Sequence, residues 1–123
     1  AFYKRYNRDA IDEDTYLGHL RALEDGWGAQ EARFVADGRQ FLTGNSLSRA
    51  DILWAAMVLR IFECGYPFAA RFPRLNAWFE RVRARPGFQA GVLGPNQTMH
   101  RVFRFKAAVE RLLGGGLARV ATR

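Results

Sequence analysis

FLTGNSLSRADILWAAMVLRIFE, residues 41–63, reads as a tight turn followed by a helix with almost no polar face. Ser48 is a favourable N-cap, and Asp51, three positions on, reaches back to the Ser48 amide, so the two close a capping box that satisfies backbone donors left open at a helix start. Leu47 before the cap and Ile52 after it are spaced for a hydrophobic staple. Across residues 50–62 only Asp51 and Arg60 are charged, and apolar side chains fall on every face. That pattern predicts a helix buried all round, at the centre of the molecule.

Outward from this helix the chain continues in helical periodicity. Upstream, Tyr16, Leu17, Leu20, Leu23, Trp27, Phe34 and Val35 keep a three-to-four spacing. Asp12, Glu13 and Asp14 place negative charge where the positive end of a helix dipole favours it. Gly18, Gly26 and Gly28 weaken this helix by roughly 1 kcal/mol each relative to alanine, and a bend or break is expected around Gly26-Trp27-Gly28. Residues 1–8 put Phe2, Tyr3 and Tyr6 at helical spacing opposite Lys4, Arg5 and Arg8. They read as the last turns of a helix that begins upstream, so a preceding part of the polypeptide is expected.

Downstream, Gly65 to Pro67 stop the central helix, and Pro73 opens another with Leu75, Trp78, Phe79 and Val82 inward and Arg74, Arg81, Arg83 and Arg85 outward. Pro86-Gly87 end it, a short turn follows over residues 88–92, and residues 93–96 read as a loop. Met99, Val102, Phe103, Val109, Leu112 and Leu113 mark a last amphipathic helix, capped by Asn96 or Thr98. Trp54, Trp78 and most of the phenylalanines are assigned to the core. Nothing alternates as a strand does, so the fold class is all-α, with one domain over residues 1–113 and a flexible Gly-rich basic tail over 114–123.

Composition bounds the function. Apolar residues are 49% and aromatic residues 14% of the 123, which excludes general disorder. The longest apolar run falls far short of the ~20 residues a bilayer span needs, and no signal segment opens the chain. A soluble, cytoplasmic protein with no membrane partner is expected. The single Cys64 cannot form an internal disulfide and is expected to be a small buried side chain. His19 and His100 lack partners at metal-binding spacing, so no metal is expected. The net charge of +7 is uneven: residues 1–67 carry 8 basic and 10 acidic side chains, residues 68–123 carry 11 and 2. Solvated arginine-rich surface accounts for this more readily than a nucleic-acid partner.

Two segments carry a resemblance. Phe41-Leu42-Thr43-Gly44 with Ser46-Leu47-Ser48-Arg49-Ala50-Asp51-Ile52 is similar to the segment that starts the central helix in the C-terminal domain of cytosolic glutathione transferases. Phe72-Pro73-Arg74-Leu75-Asn76-Ala77-Trp78 with Arg85-Pro86 resembles a second helix of the same domain. The resemblance implies an all-helical bundle that lines the pocket for a hydrophobic electrophile and takes part in a homodimer. It implies Tyr3, Tyr6, Met99 and Phe103 as substrate-binding residues, and Ser48 and Asp51 as the structural capping box.

In that family glutathione, the co-substrate, is held by an N-terminal thioredoxin-like domain that also activates its thiol, and the motifs of that domain are absent from these 123 residues. No catalytic residue is therefore assigned, and the chain by itself is expected to be inactive. The reading is the electrophile-binding domain of an enzyme that conjugates glutathione or uses it to remove a group reductively. The alternative is a non-catalytic interaction module, since relatives use the same helical fold as an assembly surface in translation complexes.

Overall fold

The computed structural model describes residues 13–114, and every regular element among them is helical. α1 spans Glu13–Asp37 and α2 spans Arg49–Glu63; α3 is a single turn, Phe68–Arg71; α4 spans Pro73–Arg83. A three-residue α5, Pro86–Phe88, runs through a π-helical turn, Gln89–Leu93, and a 3₁₀ turn, Gly94–Asn96, into α6, Gln97–Leu112. α4 is the packing partner of α1, α2 and α3, while α6 lies against α2.

α1 buries Leu20, Trp27 and Phe34, seven residues apart, and Phe41 extends the buried series beyond the helix. Such spacing keeps the three on one face. The expected break at Gly26-Trp27-Gly28 does not occur, and the helix is continuous to Asp37. Trp27 explains why: its ring meets Tyr66 and Phe68 edge-on at 5.4 Å each, and Phe72 at 5.9 Å, so tertiary packing outweighs the weak helix propensity of its neighbours. Gly38, at φ 62, ends α1, and Phe41 and Gly44 pair across a tight turn, Phe41 N–H donating to Gly44 O at 2.8 Å.

α2 begins as its sequence requires, with Ser48 as N-cap and the capping box formed with Asp51. Leu47 of the expected staple stays on the surface while Ile52 packs at the edge of the core. The helix ends in a Schellman motif: Gly65 N–H donates to Phe62 O at 3.0 Å and Tyr66 N–H to Ile61 O at 3.3 Å, which requires the positive φ of Gly65. A Cβ built on Gly65 would lie 3.3 Å from that of Ala107, so α6 crosses close to this turn.

Two expectations about α2 are corrected. It is not buried all round: Asp51, Ala55, Val58, Leu59 and Glu63 are inside, but Leu53, Trp54 and Met57 are 68%, 42% and 57% exposed. Trp54 is therefore not a core residue; among the described residues, α1, α4 and α6 flank the helix and leave one apolar face open. Cys64, expected to be buried, is exposed at the C-cap of the helix. Trp78, by contrast, is core as expected, with Phe68, Phe79, Leu75, Val58 and Val82 among the most deeply buried side chains.

α6 is corrected in a similar way. Only His100 is fully buried on it, Phe103 is half-buried, and Met99, Val102, Phe105, Val109 and Leu112 face outward. The chain enters α6 directly from the 3₁₀ turn, so Thr98 lies within the helix and does not cap it. Gly114, at φ 71, follows the helix; the remainder of the Gly-rich tail lies outside the described residues.

Candidate functional site

Asp51 is buried and accepts four hydrogen bonds. Its Oδ1 accepts hydrogen bonds from Leu42 N–H at 2.8 Å and Trp78 Nε1–H at 2.7 Å; its Oδ2 accepts from Ser48 N–H at 2.7 Å and the Ser48 hydroxyl at 2.6 Å. Burial pushes the carboxyl pKa up, but the donors from Leu42, Ser48 and Trp78 outweigh it and hold the pKa below the ordinary carboxylate value. With its acceptor positions filled and no exposure to solvent, Asp51 ties the turn before α2 to α4 and is not placed for proton transfer. The Ser48 half of this arrangement follows from sequence spacing; the Trp78 half joins positions 27 apart, and its only signal is that a buried indole N–H needs an acceptor.

A second, part-buried polar cluster stands between α1 and the segment of Tyr66 and Arg71. The Tyr66 hydroxyl donates to Glu24 Oε1 at 2.6 Å, and the same oxygen pairs with Arg71 Nη1. Burial, then the hydrogen bond and charge of Glu24, push the Tyr66 pKa well above its ordinary value, so it serves as a neutral donor.

Among the described residues an apolar concavity lies between α1 and α2. Leu23 and Trp27 form one wall, and Trp54, Met57, Val58 and Ile61 the other, enclosing about 260 Å³. Arg60 completes the lining, its guanidinium held by Glu63 Oε2 at 3.1 Å. No nucleophile, acid or base lines this groove, so what it offers is contact area for an apolar or aromatic body, with Trp54 and Trp27 supplying ring faces. A smaller, polar depression of about 120 Å³ includes Arg39, Arg74 and Arg81. Arg39 is clasped by Asp37, whose carboxyl is lowered to about 2 chiefly by that hydrogen bonding, and Arg81 donates to Gln40 O at 3.0 Å, so these two guanidiniums fasten the turn after α1.

The residues expected to bind substrate are spread out. Tyr3 and Tyr6 lie outside the described residues. Met99 and Phe103 share α6, the first exposed and the second half-buried, and neither lines the apolar groove. The sequence places Trp54 and Met57 on an all-buried helix, whereas both line the groove; the available signal is that one helix carries more apolar faces than neighbours to cover them. Among the described residues no group of His, Cys, Asp and Glu is arranged to hold a metal ion, and no helix is long and apolar enough to cross a membrane.

A family model described as the glutathione S-transferase C-terminal domain matches residues 2–86. Neither the curated proteins nor the solved structures compared with the chain yielded a match.

Proposed function

Since the chain belongs to the glutathione S-transferase C-terminal domain family, we propose that it supplies the electrophile-binding part of a glutathione-transferase-like protein. The observation that carries this reading is the apolar groove between α1 and α2, which has ring faces and aliphatic walls but no reactive group. In this division of labour a thioredoxin-like domain holds glutathione and activates its thiol. The thiolate then attacks the electrophile, adding to it or displacing a leaving group; in reductive removal a second glutathione thiolate attacks the sulfur of the conjugate, releasing oxidised glutathione while the carbon takes up a proton. The groove contributes by desolvating the apolar body of the co-substrate and fixing its orientation. Tyr3, Tyr6, Met99 and Phe103 are assigned to the same co-substrate through the family resemblance, and homodimerisation and a cytoplasmic location belong to the same proposal.

The test is steady-state kinetics on the full-length protein with each substrate varied in turn. Trp54→Ala is expected to raise KM for an aromatic electrophile about tenfold while leaving KM for glutathione unchanged, because only the apolar contact is lost. Tyr6→Phe is expected to alter the constants for the electrophile alone. Residues 1–123 by themselves are expected to show no conjugation. Glutathione binding without turnover of any of a broad panel of electrophiles would replace this reading with that of an interaction module.

A further inference from the structure

Val102, Phe105, Val109 and Leu112 recur every three or four residues along α6 and are between 37% and 87% exposed. That spacing puts them on one face, a stripe running most of a helix ~24 Å long. Apolar surface of this extent is uncommon on a protein that has nothing to bind there. On the helical projection Arg101 borders one edge of the stripe with Arg104 behind it, and Lys106, paired with Glu110 at 3.7 Å, borders the other. Arg111 follows in the last turn. Beyond it residues 112–123 contain arginines at 119 and 123 and no acidic residue.

We propose that this outward face of α6 is a docking surface for an anionic lipid bilayer, with the apolar stripe sunk into the interface and the arginines on headgroup phosphates. Three observations select that occupant. The helix is cationic, so a second copy of α6 laid against it would bring like charges together, whereas anionic headgroups complement it. The stripe side chains project from the surface, and neither of the two concavities described above includes a residue of α6. Finally, apolar residues between basic borders match both layers of a bilayer interface, while a nucleic acid would meet only the basic borders. That no helix among the described residues is long and apolar enough to cross a membrane bears on insertion across a bilayer, not on a helix lying in its plane. The proposal does not rest on the reading of the α1–α2 groove.

The experiment is co-sedimentation of the full-length protein with phosphatidylcholine vesicles, with and without about 30% phosphatidylglycerol. Binding at least tenfold tighter to the anionic vesicles, weakening as salt rises from about 50 to 500 mM, is expected. Phe105→Asp with Leu112→Asp, both at exposed positions, should lower partitioning more than tenfold with helix content unchanged by circular dichroism. Arg101→Gln with Arg104→Gln should lower it about twenty-five-fold, about fivefold per charge. No binding to anionic vesicles, equal binding to neutral ones, or binding indifferent to the Phe105/Leu112 pair would overturn the proposal. So would a change in solution mass from dimer to monomer in that variant, which would assign the face to a second copy.

Discussion

Asp51 shows how one carboxylate can hold three segments at once. Its folded pKa is lowered, so the unfolded chain binds more protons in acid, and the stabilisation is complete above the ordinary carboxylate value near 4 and is lost as pH falls through the folded value. Asp51→Asn keeps the size but cannot accept from both Ser48 donors through its NH₂ group, and a cost of about 2–4 kcal/mol at neutral pH is expected. Urea denaturation at pH 7 and at pH 3 checks both parts: the variant's deficit should shrink at the lower pH, and an equal deficit at both would remove Asp51 as the source of acid sensitivity. The box was legible because its partners are three residues apart; the bonds from Leu42 and Trp78 were not, because only the folded chain brings them together.

Helix ends are completed here by other helices as well as by local sequence. α4 starts at Pro73 behind Phe72, which has no capping side chain, and the amides of Arg74 and Leu75 donate instead to Glu31 of α1, at 2.9 and 2.7 Å. A carboxylate at that point also complements the helix dipole. Glu31→Ala should therefore cost about 1–2 kcal/mol and lower the thermal midpoint by roughly 4–8 °C for each kcal/mol. A midpoint within 1 °C of the parent, about the measurement error, would show that water replaces the carboxylate. Pro73 announced the helix, but nothing near it announced its cap. The exposed faces of α2 and α6 were illegible for a related reason: periodicity identifies an apolar stripe, but whether a neighbour covers it is decided by how the helices are arranged.

At the scale of the molecule, α1, α2 and α4 share an aromatic core, and α6 is attached from outside it. Its attachments include the buried His100, whose Nδ1 meets Glu63 Oε1, and the close crossing of Ala107 at Gly65. Opening of α6 should therefore need less free energy than opening of the core. Hydrogen exchange in His100→Ala is predicted to speed up along α6 at least tenfold while α2 and α4 stay protected. Uniform acceleration everywhere would mean that α6 folds as one unit with the core. The helical class, the central helix and the Trp78 core could be read from the chain because each rests on local spacing. The groove could not, since Trp27 and Trp54 line it together only through the way α1 and α2 pack.

Cys64, left outside by the turn that ends α2, gives the surface an oxidation chemistry of its own. Partial burial, then the charges of Glu63 and Glu110, raise its pKa, opposed by Lys106 and Arg60. Since only the thiolate forms disulfides or reacts with electrophiles, this thiol is accessible yet slow to react near neutrality. Alkylation by iodoacetamide should lag behind that of a free cysteine at pH 7.5 and catch up only as pH rises through the raised pKa of Cys64. Glu63→Gln should quicken it at neutral pH; no change in that variant would leave burial as the whole cause. In air, such a molecule would resist cross-linking into covalent pairs through the only sulfur able to make one.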